Sequence, residues 1–183
     1  MKWVRAQASG FTLLEIMIVI AIIGILVAVG LTSFVSSQKK SRDIKRKNDL
    51  RQVSLALESY YNDKNRYPAS SANGQIAGCF PDDATICDWN TIFQDKNNTV
   101  YMVKLPIESD SGGKYVYVAG VNGISYQLYA RLENTDDSAI PKNAQGKSRV
   151  FSDIACGAAG VYCNWGISSP NTAVETGRTI TYQ

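Results

Sequence analysis

Residues 10–30 read GFTLLEIMIVIAIIGILVAVG, and this stretch decides the architecture of the chain. The twenty residues from Phe11 to Gly30 carry one charge, Glu15. At about 1.5 Å per residue, a helix of this length covers the roughly 30 Å hydrocarbon core of a bilayer. We therefore expect residues 11–35 to form a transmembrane or filament-core helix.

The charge of Glu15 needs an explanation. A carboxylate in a spanning helix costs on the order of 2.5–3.5 kcal/mol at the helix centre and less near an end. One interpretation is that Glu15, four residues after Phe11, reaches out to headgroups and water. The other is that a partner neutralises it.

The first ten residues, MKWVRAQASG, form a short polar leader with two basic residues, Lys2 and Arg5. A secretory signal places its small-residue cleavage site after the apolar region. Here Ala6-Gln7-Ala8 lies before that region. The apolar run is therefore expected to stay in the mature chain.

The remaining residues, 36–183, have the mixed polar composition of one globular head. The chain of 183 residues contains no histidine. Ser-His-Asp and Cys-His sites therefore cannot form, and neither a dinucleotide-binding GxGxxG pattern nor a complete P-loop occurs. These absences predict that the protein is not an enzyme. The formal net charge of +3 is too small to indicate a polyanion partner by itself.

All four cysteines, Cys79, Cys87, Cys156 and Cys163, lie in the head. Their spacings are too long for a CxxC redox or zinc motif. In an exported head they would form disulfides, for which four cysteines allow three connectivities. The two short loops, Cys79–Cys87 and Cys156–Cys163, are favoured because short loops close most easily. Buried free thiols are the alternative.

The helical pattern continues past the apolar run to about Asn62. Apolar residues recur there at three- and four-residue steps, which predicts a helix face packed on the head; they are Leu50, Val53, Leu57, Tyr60 and Tyr61. Residues 68–100 have the composition of a long connecting loop. Strand patterns follow at 99–103, 114–118, 125–132, 149–151, 160–163 and 179–182.

Asn122-Gly123 lies between two of these strands and predicts a hairpin. The predicted fold class is α+β, a long N-terminal helix packed on a small antiparallel sheet.

A basic cluster lies on the second half of the helix: Lys39, Lys40, Arg42, Lys45, Arg46, Lys47 and Arg51. It is a solvated helix face, or it contacts acidic neighbours, lipid headgroups or DNA. The positive-inside rule would place this cluster in the cytoplasm. The cysteines favour a head outside the cytoplasm, and we give them more weight.

A calcium-stabilised adhesive binding head is a further alternative, and calcium is the one cofactor that the sequence brings into consideration. Carboxylates on predicted loops could supply oxygen ligands; they are Glu108, Asp110, Glu133, Asp136 and Asp137. Their spacing does not match an EF-hand, and solvated turn residues are the alternative.

The segment Gly10-Phe11-Thr12-Leu13-Leu14-Glu15, with its basic leader and apolar helix, resembles the N-terminus of type IV pilins and type II secretion pseudopilins. The resemblance covers residues 1–35 closely. Three further segments of the head are also pilin-like: Tyr60-Tyr61, Arg66-Tyr67-Pro68 and Leu105-Pro106.

The resemblance implies cleavage after Gly10 by a prepilin peptidase and methylation of the new Phe11 amine. It implies insertion in the inner membrane with the head outside the cytoplasm. Polymerisation with itself and other pilins on an inner-membrane assembly platform would then give a cell-surface or periplasmic filament. The Phe11 ammonium would pair with Glu15, within the chain or on a neighbouring subunit.

The implied function is a pilus subunit or, alternatively, a pseudopilin of a type II secretion or competence machine. Thr32 stands where these families often have a proline, so the resemblance gives no basis for a helix kink there.

Overall fold

The computed structural model describes residues 10–108 and 112–183, and at 28–33 the backbone alone. The chain divides into two compact units, Met1–Lys39 and Lys40–Gln183. The sequence placed this boundary a few residues earlier, at 35–36. We call the second unit the head.

One helix, α1, runs from Leu13 to Lys64. Its backbone is helical through Thr32. Asn65 adopts a left-handed conformation with φ of 56° and donates its N–H to the carbonyl of Tyr61. A left-handed residue directly after the last turn is a common way for helices to end. The predicted single long helix is therefore confirmed, to within two residues at each end.

In the head, α1 buries residues at three- and four-residue steps, as the predicted stripe required. Leu50, Val53, Leu57 and Tyr60 are all at most 1% exposed. The same face continues toward the N-terminus with two charged residues, Asp43 and Arg46, at 1% and 3% exposure.

Eleven short strands complete the part of the head that the structure describes. They are β1 (Ala69–Ser70), β2 (Ile76–Cys79), β3 (Thr85–Cys87), β4 (Phe93–Gln94), β5 (Val100–Met102), β6 (Val116–Ala119), β7 (Tyr126–Ala130), β8 (Arg149–Ala155), β9 (Tyr162–Cys163), β10 (Trp165–Ser168) and β11 (Ile180–Tyr182). The strand orders are β1-β2-β3, β4-β5, β10-β7-β6 and β11-β8-β9, and every pairing is antiparallel.

The central sheet, β10-β7-β6, lies between α1 and the β11-β8-β9 sheet. All five residues of β7 are buried. Leu128 and Ala130 belong to the cluster that contains the buried face of α1, whereas Tyr129 packs with Phe151 of β8 in a second cluster. Because successive strand residues point to opposite faces, β7 contributes to both layers of core. The α+β fold class is confirmed.

Two details of the prediction are wrong. Residues 68–100 are not a structureless loop, since they form β1 to β4. These strands are two to four residues long, too short for a period-two pattern to show. The head also contains several small sheets instead of one. The predicted hairpin at Asn122-Gly123 is present between β6 and β7, with φ of 56° and 68° at these two residues.

Candidate assembly site

The N-terminal turn of α1 holds the carboxylate that the sequence singled out. Thr12 directly precedes the helix, and its backbone N–H and hydroxyl both donate to Oε2 of Glu15 at 3.2 Å. In return the N–H of Glu15 donates to Oγ1 of Thr12 at 3.2 Å. This reciprocal pair is a capping box, which satisfies N–H groups that the first helical turn leaves without partners.

The capping box gives Glu15 a partner, Thr12, that neither sequence interpretation named. The helix N-terminus also carries a partial positive charge that favours a carboxylate there. The pairing of Glu15 with the Phe11 ammonium stays a prediction.

The helix around Glu15 is apolar and exposed. Every side chain from Phe11 to Val27 is exposed, with Phe11 at 83% and Leu13 at 77%. Among the residues that the structure describes, no helix is both long enough and apolar enough to cross a membrane. Within the predicted helix at 11–35, residues 28–33 lie outside the side chains described.

A second group of charges lies inside the head, where α1 contacts the loop before β6 and the loop after β7. We call it the Arg46 cluster; it consists of Arg42, Asp43, Arg46, Glu108 and Glu133. Arg46 donates from Nε to Glu108 at 2.8 Å, and from Nη1 to Asp43 and to Glu133, both at 2.7 Å. Arg42 binds both carboxylate oxygens of Glu133, at 2.7 and 2.5 Å.

Asp43 ties this cluster to the backbone of the head. Its two carboxylate oxygens accept the N–H groups of Glu133 at 2.9 Å and Asn134 at 2.8 Å. Burial of the cluster is tolerable because every charge in it is paired and hydrogen-bonded.

The cluster shifts the protonation of its members. The hydrogen bond from Arg42, with further help from Arg46, lowers the pKa of Glu133 to about 2 despite partial burial. Burial alone would lower the pKa of Arg46, but its hydrogen bonds to Glu108, Glu133 and Asp43 outweigh this and raise it. These hydrogen bonds favour the charged forms of Glu133 and Arg46, so both side chains remain ionised at neutral pH.

The structure corrects the interpretation of the basic residues. Arg46 is 3% exposed and enclosed by three carboxylates, so its assignment as a polyanion contact is wrong. Arg42 and Lys47 pair with Glu133 and with Asp137. The alternative of contact with acidic neighbours holds for these three residues. Four others are exposed: Lys39, Lys40, Lys45 and Arg51.

The carboxylates considered for calcium are paired with basic side chains. Glu108 and Glu133 contact Arg46, Asp137 contacts Lys47, and Asp136 contacts Lys142. Asp110 lies outside the described residues. Within the described ranges, no three His, Cys, Asp or Glu side chains are grouped so that they could hold a metal ion. Calcium binding stays a prediction.

The cysteines form the two short loops. Cys79 of β2 bonds to Cys87 of β3, with a Cα–Cα distance of 5.4 Å. Cys156, directly after β8, bonds to Cys163 of β9, with a Cα–Cα distance of 5.0 Å. Each disulfide is part of a different apolar cluster.

Sequence reasoning missed Thr12 and Asp43, although each lies in a recognisable local pattern. Thr12 and Glu15 match the [ST]-x-x-E spacing of a capping box. Asp43 and Arg46 are three apart on one helix face, the spacing at which opposite charges meet.

Comparison with known proteins begins at the N-terminus. Residues 5–31 match the family model described as the prokaryotic N-terminal methylation motif. The chain is also 30% identical to the type II secretion system core protein G of Pseudomonas aeruginosa over 126 residues, 69% of this chain and 84% of that protein. The chain belongs to the type IV pilin and type II secretion pseudopilin family.

Two further relatives match different shares of the pilin chain. The fimbrial protein EcpC of Eikenella corrodens is 43% identical over 147 residues, 80% of this chain and 75% of that protein. The type IV major pilin protein PilA of Myxococcus xanthus is 43% identical over 58 residues, 32% of this chain and 26% of that protein. The comparison with solved structures gives no match. This chain is therefore a structural subunit of the pilin and pseudopilin class, and its N-terminal motif implies insertion in a membrane.

Proposed function

We propose that this chain is a subunit of a type IV pilus or a related filament. It enters the inner membrane as a prepilin with its head outside the cytoplasm. A prepilin peptidase cleaves it after Gly10 and methylates Phe11, and an inner-membrane platform then assembles it through the N-terminal helix. The N-terminal methylation motif at residues 5–31, which includes Gly10 and Phe11, supports the processing steps.

The observation that carries the proposal is the exposed apolar surface from Phe11 to Val27. An apolar helix face of this length is stable only when something other than water covers it. Lipid would cover it before assembly, and the helices of other subunits would cover it in a filament.

Within this proposal, Glu15 sets the axial register of the subunits. Cleavage after Gly10 would create an ammonium on Phe11, four residues from Glu15 and next to the capping box. A subunit docked in the wrong axial position would leave this ammonium and the Glu15 carboxylate buried, each without a partner. Since an unpaired buried charge is strongly unfavourable, only the correct axial position would be stable.

Mass and sequence analysis of filaments sheared from cells tests the processing step. We expect a chain that begins at Phe11 and carries one methyl group on its amine. Gly10→Val should block cleavage and leave the subunit in the membrane, whereas Ser9→Ala should be processed normally. A mature chain that begins beyond residue 30 would show that the apolar run is a removed signal.

The second candidate is a pseudopilin of a type II secretion machine. The observation that favours it is the alignment with core protein G, which extends over 84% of that protein. Deletion of the gene separates the two functions. Loss of surface filaments with normal protein secretion supports the pilus subunit, whereas loss of secreted enzymes with intact filaments supports the pseudopilin.

A further inference from the structure

The hairpin between β4 and β5 carries a motif that the proposed assembly through the N-terminal helix does not use. Residues 95–99 read DKNNT. Asn97-Asn98-Thr99 matches N-x-[ST], the acceptor pattern for N-linked glycosylation. Of the twelve asparagines in the sequence, Asn97 alone is followed two residues later by serine or threonine.

The fold presents this motif at the tip of a tight turn. The N–H of Asp95 donates to the carbonyl of Thr99 at 3.1 Å, and the N–H of Asn98 donates to the carbonyl of Asp95 at 3.0 Å. Asn98 adopts a left-handed conformation with φ of 62°. Residues 96–100 are all exposed. A glycan at the tip would therefore extend into solvent without displacing any core residue.

The two functional groups of the motif take no part in the hydrogen bonding of the head. Within the described part of the chain, the Asn97 amide and the Thr99 hydroxyl have no hydrogen-bond partner. The turn is held together by its backbone and by Asp95, which accepts the N–H groups of Asn97 and Thr99, both at 2.9 Å. Neither side chain is needed to form the turn, so the stability of the turn does not explain why Asn97 and Thr99 occupy these positions.

The disulfides favour the compartment in which such a modification occurs. Two disulfides in the head indicate an oxidising environment outside the cytoplasm. The inference thus rests on the part of the proposed function that places the head there, and it does not require assembly into a filament.

We propose that Asn97 carries an N-linked glycan. The donor is an oligosaccharide attached through C1 to a lipid pyrophosphate, and the catalyst is a membrane oligosaccharyltransferase. The Asn97 amide nitrogen forms a bond to C1 and loses one proton, while the bond from C1 to the pyrophosphate oxygen breaks. The lipid pyrophosphate leaves with the electron pair of that bond, and no oxidation or reduction takes place.

The contact between Asp95 and Lys64 bears on whether the glycan is transferred before or after the head folds. Asp95 is 1% exposed, and Nζ of Lys64 contacts its carboxylate at 2.6 Å. This contact fastens the turn to the end of α1, so the acceptor segment is not extended in the folded head. If the transferase binds its acceptor in an extended form, the transfer precedes the docking of the turn onto Lys64.

Mass spectrometry of the full-length protein, purified from the membranes of its own host, tests the proposal. We expect the peptide of residues 97–104 to carry a saccharide in the wild type and in Thr99→Ser, which keeps the hydroxyl. The saccharide should be absent in Asn97→Gln and in Thr99→Val, although Thr99→Val retains the asparagine. An unmodified wild-type peptide, or a saccharide that persists in Asn97→Gln or Thr99→Val, would overturn the proposal.

The same measurement on Glu15→Ala separates this inference from the filament function. Subunits of this variant that remain in the membrane should be glycosylated as fully as the wild type. A glycan on unassembled subunits supports the site even if the filament proposal fails. A glycan that appears only on assembled subunits would contradict transfer before folding.

Discussion

At the start of α1, the side chains of Glu15 and Thr12 each accept the other's backbone N–H, and the Thr12 hydroxyl also donates to Glu15, all at 3.2 Å. Glu15 therefore accepts hydrogen bonds in the cap, and in the proposed function it also supplies the charge opposite the Phe11 ammonium. Glutamine also fits helix position N3 of a capping box, which Glu15 occupies here. The charge can therefore be removed while the cap is kept.

Glu15→Gln should impair filament assembly nearly as much as Glu15→Ala. Each leaves the Phe11 ammonium without its counter-charge on docking, and the loss of one member of a buried pair typically costs about 3–5 kcal/mol. Glu15→Asp should be intermediate, because the charge is kept with a shorter reach. The ratio of sheared filament to membrane-held subunit, measured by immunoblot, is the readout.

The matched control for the Glu15 series is Thr12→Val, which removes the capping hydroxyl and keeps both charges. This variant should lose about 1 kcal/mol of helix stability and give a filament yield close to that of the wild type. Normal assembly of Glu15→Gln together with failure of Thr12→Val would show that the cap matters and the charge does not.

Arg46→Ala should lower the free energy of unfolding of the head by about 3–5 kcal/mol, because it leaves buried carboxylates without their shared partner. Denaturant unfolding of the detergent-solubilised subunit measures the change. Arg51→Ala removes an exposed arginine from the same helix and should change the value by less than about 0.5 kcal/mol. Equal effects of the two substitutions would contradict the structural role of the Arg46 cluster.

Glu133 should make the head less stable in acid. Its pKa is lowered from 4.5 to about 2 on folding, mainly by Arg42. The unfolded chain therefore binds the proton first as pH falls. The stabilisation is complete above about pH 4.5 and is lost progressively toward pH 2, with a total on the order of 2–3 kcal/mol.

Unfolding free energies measured between pH 6 and pH 2 test this dependence. Glu133→Gln should flatten the curve in the acid range. Asp136→Asn should alter it far less, since that carboxylate is 82% exposed in its pair with Lys142. If the unfolding free energy of Glu133→Gln fell as steeply toward pH 2 as that of the wild type, Arg42 and Arg46 would not be holding this carboxylate ionised.

Each disulfide should contribute roughly 2–3 kcal/mol, as expected for loops of this length. The variant pairs Cys79→Ser with Cys87→Ser, and Cys156→Ser with Cys163→Ser, should each lose this amount. The effects should add, because the two disulfides lie in separate apolar clusters. Non-reducing peptide mapping provides the direct check, and a cross-link between the two pairs would contradict the structure.

The helix and the later strands could be predicted because their signals are local and repeated. Leu50, Val53, Leu57 and Tyr60 follow the helical period, and Asn122-Gly123 supplies the left-handed conformations that the β6–β7 turn uses. Strand β10 was missed because Gly166 interrupts it. A side chain at that position would meet the carbonyl of Leu128 at 2.5 Å, so the close approach of β7 requires glycine.

The Arg46 cluster could not be predicted from the sequence. Glu108 and Glu133 lie 62 and 91 residues beyond the arginines that they bind, and no periodicity connects residues so far apart. The basic residues alone therefore left a solvated face, acidic neighbours, lipid headgroups and DNA as alternatives. The capping box differs, since Thr12 and Glu15 are three residues apart and their pattern is visible in the sequence.

The two disulfides also limit how far the head can be stretched. Cys79–Cys87 and Cys156–Cys163 close segments with sequence separations of 8 and 7. If tension along a filament unfolded the head, each closed segment would stay short and withhold about 20 Å of chain, given ~3.3–3.6 Å per extended residue. An oxidised subunit would thus lengthen less under load than a reduced one, and would have less chain to fold again when the load is released.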